Sequence, residues 1–209
     1  MKLFDYKVAP SPRRVRMFLA EKDLELEIIQ VDLLKGEQHS EDFSKLNPWR
    51  TVPVLELDDG TTISEVDACC IYLEETHPEP RLLGNTPKEK AEIAMWNSHI
   101  NSDGYQAAAN LFRNTSKAFK NRATTGPESH AQIPEFADRE KTRLLSFLKL
   151  LDERLSDRTF ICTEKFTISD ITAFVAIEFA KWSGVNPDTK LKSLVRWHQN
   201  ISNRPSAKA

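Results

Sequence analysis

The first part of the chain alternates short apolar runs with one helical pattern of hydrophobic positions. Leu3–Tyr6 and Leu24–Val31 are apolar or β-branched runs of strand length. Between them, Ser11–Lys22 carries apolar residues at helical spacing, with Ser11 predicted as the N-cap and Pro12 at the first helical position. A strand, a helix and a second strand in so short a stretch predict a βαβ unit, in which the two strands run parallel.

A second pair of strands follows. Val52–Leu57 and Thr61–Ile63 flank the turn Asp58-Asp59-Gly60, which is the pattern of a β-hairpin. After the hairpin, a helix is predicted from Glu65 to Glu75. The order βαβ and then ββα is that of a thioredoxin-like α/β domain, which we assign to residues 1–78.

A polar stretch interrupted by proline and glycine comes next. Pro80 and Gly84 lie within it, and residues 79–86 are predicted to be an interdomain linker. Thr86, Pro87 and Glu89 then have the pattern of a helix start, with a capping box and a proline at the first position.

From this point the pattern is helical to the end of the chain. The segment Glu135–Leu155 carries a leucine stripe, made of Leu144, Leu148, Leu151 and Leu155. Thr167–Asp170 is a second capping box, and the apolar run Ile171–Ile177 predicts a helix that is buried on nearly all sides. A last helix is predicted over Leu191–Asn203. We therefore expect an all-helical domain over residues 87–209.

Composition and charge narrow the classes of function. The 209 residues include 29 Lys and Arg against 31 Asp and Glu, a formal net charge of −2, which disfavours a nucleic-acid-binding protein. No apolar run approaches the ~20 residues of a membrane helix, and the start of the chain lacks a signal-peptide pattern. The three cysteines offer neither a disulfide framework nor metal-ligand spacing, so we expect a cytoplasmic protein without a metal.

Four segments in this order resemble the cytosolic glutathione S-transferases, in particular their bacterial theta- and zeta-like members. They are the helix start Ser11–Lys22, the segment Leu46–Leu55 with its Val52-Pro53, the segment Ile63–Glu75, and the capping-box segment Phe166–Ile171. The resemblance spans the whole chain. It implies a two-domain homodimer that takes glutathione as a substrate and needs no cofactor.

The resemblance implies that a residue near the first helix stabilises the glutathione thiolate. A thiol with a pKa of ~8.5 is a poor nucleophile at neutral pH, because the thiolate is the attacking form. A hydroxyl hydrogen bond and a helix N-terminus both lower that pKa. Ser11 is the catalytic candidate on both counts. Two alternatives stay open: Ser11 is only an N-cap, or Tyr6, which otherwise packs with its strand, takes the role.

The same resemblance assigns residues to the peptide part of glutathione. Val52, before a cis Pro53, is expected to pair its N–H and C=O with the cysteinyl backbone, whereas an ordinary trans proline is the alternative. Glu65 is expected to accept a hydrogen bond from the γ-glutamyl ammonium, beside a helix N-terminus that attracts the neighbouring carboxylate. Where the family has serine after this acidic residue, the chain has Val66, and losing a bond to a charged group costs roughly 1.5–3 kcal/mol.

The glycyl end of glutathione is expected to meet Gln38, His39 and Arg50. Arg50 is the best candidate, because a guanidinium matches a carboxylate in charge and shape. A solvated loop residue is the alternative for each of the three. Cysteine is absent from the start of the first helix, which disfavours a thiol-disulfide reductase, and Cys69 and Cys70 are expected to be buried in a helix.

The sequence thus predicts a glutathione transferase that conjugates the thiolate to a small hydrophobic electrophile. Two other functions remain open: a non-enzymatic binding or scaffold protein with weakened glutathione binding, which Val66 would favour, and a glutathione-dependent isomerase or dehalogenase. No nucleic-acid or membrane partner is expected. A set of aromatic residues fits either a pocket for the electrophile or ordinary core packing: Trp96, Tyr105, Phe112 and Trp182.

Overall fold

One four-stranded mixed sheet organises the first domain. The computed structural model describes residues 1–209. The strands are β1 (Lys2–Asp5), β2 (Glu27–Gln30), β3 (Val54–Glu56) and β4 (Thr62–Ser64), in the spatial order β2-β1-β3-β4. β1 and β2 run parallel, whereas β3 is antiparallel to both β1 and β4. The predicted βαβ unit, the hairpin and the thioredoxin-like fold are therefore confirmed.

Three helices accompany this sheet. They are α1 (Pro10–Glu21), α2 (Glu41–Leu46) and α3 (Val66–Thr76), with a 3₁₀ turn at Glu37–His39 before α2. The sequence pattern does not predict α2, because six residues are too few for a helical period to stand out. The Ser40 hydroxyl nevertheless caps it by accepting a hydrogen bond from the Phe43 N–H.

The second domain is all-helical, as predicted. Its helices are α4 (Pro87–His99), α5 (Ala107–Thr115), α6 (Pro134–Arg154), α7 (Ile168–Ala180) and α8 (Lys192–Ser202). A π-helical segment, Ile100–Gln106, joins α4 directly to α5. Gly104 lies in this segment, where a Cβ atom would sit 2.7 Å from the Phe147 ring of α6. No helix combines the length and the apolarity that a membrane crossing requires.

Helix α7 forms the centre of the second domain. Twelve of its 13 residues are buried, and the predicted capping box of Thr167 and Asp170 is present at its start. The buried Asp170 carboxylate also accepts hydrogen bonds from the Ile161 N–H at 3.1 Å and the Trp197 indole N–H at 3.0 Å. The capping box thereby connects α7 to α8 and to the preceding loop.

The segment between α3 and α4 is fixed to the first domain by a buried ion pair. Lys22 Nζ lies 2.7 Å from Glu74 Oε2, and the two side chains are 0% and 1% exposed. The ammonium also donates to the carbonyl of His77 at 2.7 Å and to that of Pro80 at 2.9 Å. The carboxylate accepts from the Leu82 N–H at 3.0 Å. The connection between the domains is therefore held by specific polar contacts.

Candidate functional site

Three strand ends meet at one edge of the sheet. Phe4 of β1 pairs with Val54 of β3, and Val54 pairs with Ser64 of β4. Because both pairings are antiparallel, the end of β1, the start of β3 and the end of β4 lie side by side. The β1–α1 loop, the Val52-Pro53 segment and Glu65 therefore converge on this edge, although they are distant in the sequence.

Val52 presents free backbone groups at this edge. The Val52–Pro53 peptide bond is cis, as the resemblance implied. The Val52 side chain is 8% exposed and packs with Val31, Phe43 and Val54. Neither the N–H nor the carbonyl of Val52 has a hydrogen-bond partner within the chain. An extended peptide can pair with such a donor and acceptor in the manner of an added strand.

Helix α3 begins with an open N-terminus. Its N-cap residue Glu65 has φ 71° and ψ 135° and makes no side-chain cap. The first backbone bond of the helix runs from the Cys69 N–H to the Glu65 carbonyl, so the N–H groups of Val66, Asp67 and Ala68 have no backbone acceptor. A positive φ in a non-glycine residue costs about 1–3 kcal/mol. The strained start leaves three donors and the positive end of the helix dipole open to an anion.

The side chains of Val66 and Glu65 lie in different surroundings, one in the core and one at the surface. Val66 is the first residue of α3, and its side chain is 3% exposed within the main hydrophobic core. It can offer a ligand only its backbone N–H. The Glu65 side chain is exposed, so its carboxylate is open to an ammonium group.

Helix α1 starts earlier than the sequence pattern indicates. Ala9 is its N-cap and Pro10 its first residue, so the prediction of Ser11 as N-cap and Pro12 at the first position is wrong. The sequence favours the later start because serine is a preferred N-cap residue and Pro12 then takes the first helical position. Pro12 is tolerated inside the helix because an N–H in the first turn has no partner. Ser11 therefore lies within the first turn, and the N-cap itself has no hydroxyl.

Arg14 is a residue of this site that the sequence pattern does not reveal. It is 6% exposed, and its Nη2 donates to Ser11 Oγ at 3.1 Å while Nη1 donates to Asn101 Oδ1 at 2.9 Å. Its guanidinium carbon lies 4.0 Å from the centroid of the Tyr105 ring, a cation–π contact. One signal was available: Arg14 lies four residues before Phe18, on the buried face of α1.

Tyr6 has a packing role. Its ring packs against the small cluster that contains Val52, Val54 and Phe43 of α2. Its carbonyl accepts a hydrogen bond from the Ala9 N–H at 2.8 Å, which closes the turn before α1. These contacts agree with the interpretation of Tyr6 as a residue that packs with its strand.

Gln38, His39 and Arg50 come from two segments near the same edge. Gln38 and His39 belong to the 3₁₀ turn before α2, and Arg50, with φ 54°, precedes Val52 closely. Gln38 is 6% exposed, and its side-chain oxygen is buried without a partner. Burial lowers the pKa of His39, and the nearby cations Arg122 and Arg50 lower that pKa further. His39 and Arg50 are thus brought close together, as expected for one binding region.

Aromatic side chains of the second domain form one cluster, made of Tyr105, Phe112, Phe179 and Trp182. Trp182 is 47% exposed, so the cluster reaches the surface. Tyr105 connects the cluster to the start of α1 through its contact with Arg14. Trp96 lies elsewhere, with the Arg154 guanidinium 4.8 Å from its ring centroid, so it does not join this cluster.

The cysteines are not nucleophiles at neutral pH. All three are free and buried, as expected for Cys69 and Cys70. Burial raises the pKa of Cys69 and that of Cys162 to about 12, and it raises the pKa of Cys70 well above the ordinary value. A thiolate that reacts at this site has to come from a ligand.

Comparisons with known proteins cover both domains. The family models of the glutathione S-transferase N-terminal domain and C-terminal domain match residues 9–76 and 114–205. Glutathione S-transferase 2 of Saccharomyces cerevisiae is 31% identical, over 100% of this chain and 88% of its own length. The maleylacetoacetate isomerase of Rattus norvegicus is 42% identical, over 52% of this chain and 50% of its own length.

A solved structure gives the same result for the fold. The crystal structure of a glutathione S-transferase domain-containing protein from Marinobacter aquaeolei VT8 has a TM-score of 0.92 and 35% identity, with 99% of both chains covered. The two domain matches occur in the expected order, and the yeast relative aligns along the full length of the chain. This protein therefore belongs to the cytosolic glutathione S-transferase superfamily.

Proposed function

We propose that the protein binds glutathione along the sheet edge and transfers it to a small hydrophobic electrophile. The observation that carries this proposal is the free N–H and carbonyl of Val52 beside the cis Pro53, between the starts of α1 and α3. In the proposed pose, the cysteinyl backbone of glutathione pairs with Val52. Its γ-glutamyl carboxylate accepts from the N–H groups at the start of α3, including that of Val66, and its ammonium group meets Glu65.

The glycyl carboxylate is assigned to Gln38, His39 and Arg50. Arg50 supplies a positive charge with planar geometry suited to a carboxylate. Gln38 can contribute only through its amide N–H groups, because its side-chain oxygen is an acceptor and cannot pair with an anion.

This pose brings the glutathione sulfur to the start of α1. The helix dipole and the Arg14 guanidinium both favour the thiolate, and Ser11 donates a hydrogen bond to it. Because the Ser11 oxygen already accepts from Arg14, its own proton is free for the sulfur. We thus assign Arg14 as a positioning residue for the Ser11 hydroxyl.

The transfer itself is a nucleophilic attack. The thiol proton leaves to solvent, the sulfur lone pair forms a bond to an electrophilic carbon, and the leaving group departs with the bonding pair. Proximity and electrostatics supply the acceleration, and glutathione is a substrate rather than a cofactor. The cluster of Tyr105, Phe112, Phe179 and Trp182 contacts Arg14 through Tyr105 and reaches the surface at Trp182, which supports an apolar site for the electrophile.

Isothermal titration with reduced glutathione tests the proposal, followed by turnover of an activated aryl halide. We expect saturable binding at or below millimolar glutathione and formation of the S-conjugate. Ser11→Ala should raise the pKa of the bound thiol, read from thiolate ultraviolet absorbance, whereas the exposed Ser146→Ala should not. Absence of binding at millimolar glutathione would refute the proposal and favour a scaffold protein.

Val66 provides a further comparison. Val66→Ser restores a hydroxyl at the start of α3, and we expect glutathione binding to become about tenfold tighter if that hydroxyl reaches the γ-glutamyl carboxylate. The buried valine methyl groups are lost in this variant, so its stability should fall while its affinity rises.

A second candidate function is glutathione-dependent isomerisation. The likeness to a protein named maleylacetoacetate isomerase, over about half of this chain, favours it. In that class of reaction the thiolate adds to a conjugated double bond, the new single bond rotates, and the thiolate leaves again. Mass spectrometry separates the two functions, because a transferase accumulates an S-conjugate whereas an isomerase leaves the glutathione concentration unchanged.

We also propose a cytoplasmic homodimer. Ile71 on α3 and Met95 on α4 are 54% and 52% exposed, and the two helices adjoin through the Asn97–Asp67 hydrogen bond of 2.9 Å. Exposed apolar side chains on adjoining helices support a protein interface. Light scattering should give twice the mass of the chain, and a monomer mass would contradict the dimer. Three free buried cysteines suit a reducing compartment.

A further inference from the structure

A loop of the second domain reaches the region assigned to the glycyl carboxylate. The loop spans residues 116–133, between α5 and α6. Arg122 Nη2 lies 3.1 Å from His39 Nε2, and a Cβ atom added to Gly126 would lie 3.8 Å from the Trp49 carbonyl oxygen. The loop therefore touches both segments that carry Gln38, His39 and Arg50, from the opposite domain.

The position of Arg122 is supported by the structure of its loop. The Ala123 N–H donates to the His130 carbonyl at 3.0 Å, which closes the loop on itself. The Gln132 side chain donates to the carbonyls of Arg113 and Ser116, at 2.6 Å and 2.8 Å. The base of the loop is thus fixed to the end of α5, and Arg122 is held where it meets His39.

The contact between Arg122 and His39 indicates the protonation state of His39. A guanidinium only donates, so His39 accepts through Nε2 and is neutral, with its proton on Nδ1. The pKa of His39 is lowered by burial and by both arginines, which agrees with the neutral form. Neither Arg50 nor Arg122 forms an ion pair with any carboxylate of the chain.

Two guanidinium groups without an ion-pair partner thus lie near the His39 imidazole, one of them in contact with it, and together they can bind an anion. The two guanidinium groups repel each other when they are close, and a bound carboxylate would offset that repulsion because it attracts both. A carboxylate accepts hydrogen bonds from two arginines at once, since each of its oxygens has two acceptor positions.

We propose that Arg122, from the helical domain, supplies a second guanidinium for the glycyl carboxylate of glutathione and makes the site selective for a ligand with that charge. This inference depends on the proposed glutathione site. In this arrangement Arg50 and Arg122 hold the carboxylate from the two domains, close to His39. Arg122 is a specificity-determining residue, because it acts on the carboxylate that distinguishes glutathione from its dipeptide precursor and its glycyl ester.

The experiment compares two ligands on matched variants. Reduced glutathione and its glycyl monoethyl ester, which lacks the carboxylate charge, are titrated calorimetrically into the wild-type protein, Arg122→Gln and Lys120→Gln. Lys120 is an exposed cation of the same loop and serves as the control for lost charge. Arg122→Lys tests whether charge without planar geometry retains part of the affinity.

We expect Arg122→Gln to weaken glutathione binding about tenfold or more, the range for a lost hydrogen bond to a charged group. Binding of the ester should change by less than twofold, and Lys120→Gln should match the wild type for both ligands. Equal weakening of both ligands, or none, would overturn the role of Arg122 while leaving the glutathione site intact. If the wild-type protein binds neither ligand, the proposed glutathione site itself is wrong. Urea unfolding of Arg122→Gln, expected to match the wild type, separates lost binding from a collapsed loop.

Discussion

Replacing Lys22 with methionine tests the buried ion pair that holds the connection between the domains. The Lys22 ammonium has three protons, and the structure gives each one an acceptor: Glu74, the His77 carbonyl and the Pro80 carbonyl. Lys22→Met keeps an unbranched apolar stem, without the terminal ammonium, and removes all three hydrogen bonds. It leaves the Glu74 carboxylate buried, with only the backbone N–H groups of the following segment as partners.

The expected loss of unfolding free energy in Lys22→Met is large, because the Lys22 and Glu74 side chains are almost completely buried, at 0% and 1% exposure. Removing one member of a buried ion pair costs about 3–5 kcal/mol, most of which is the penalty of the remaining uncompensated charge. Lys22→Met/Glu74→Gln should therefore be more stable than Lys22→Met alone, since the glutamine is neutral and keeps an acceptor for the backbone. The exposed Lys88→Met serves as the matched control, with an expected change within about 0.5 kcal/mol.

Urea unfolding followed by circular dichroism measures these differences as shifts of the midpoint at constant m-value. The effects of the two substitutions on the free energy of unfolding should be strongly non-additive. A loss below about 1 kcal/mol in Lys22→Met would show that the pair does not carry the assigned energy. A double variant whose loss equals the sum of the two single losses would refute the account based on uncompensated charge.

Two other predictions concern the helical domain. Gly104→Ala should destabilise the protein by about 1–3 kcal/mol in urea unfolding, because the new Cβ would lie 2.7 Å from the Phe147 ring; Phe147→Leu in the same chain should restore part of that loss. The hydrogen bond with His198, together with that from Lys181, lowers the pKa of Glu178 from its ordinary 4.5 to about 2, so the stabilisation from the Glu178 carboxylate is complete above pH 4.5 and is lost as the pH falls towards 2. Urea midpoints between pH 5 and pH 2.5 should fall more steeply for the wild type than for Glu178→Gln, and parallel curves would contradict this assignment.

The sequence predicts those elements whose signals are local. The capping boxes at Thr86 and Thr167 are each complete within one turn of chain, the leucine stripe of α6 extends over little more than three turns, and all are present in the structure. The start of α1 was misplaced because Pro10 and Pro12 each satisfy the rule for a first helical position, and the pattern cannot choose between them.

The local sequence pattern does not predict the burial or contacts of side chains whose partners are distant in the sequence. Arg14 is buried because Asn101 and Tyr105 approach it from the other domain, and a polarity pattern counts any arginine as exposed. Arg122 meets His39 across 83 positions of sequence. Val52 and Glu65 were assigned only through the family resemblance, since their contribution lies in a cis bond and a positive φ, which side-chain patterns do not encode.

The π-helical segment Ile100–Gln106 has a consequence for how the two halves of the molecule communicate. It presents Asn101 and Tyr105 to the same guanidinium that holds the Ser11 hydroxyl. A change in the relative position of the two domains would therefore alter the hydrogen bond that the Ser11 hydroxyl accepts, at the place proposed for the glutathione sulfur. If glutathione binds as proposed, the pKa of its thiol depends on how the two domains are packed against each other.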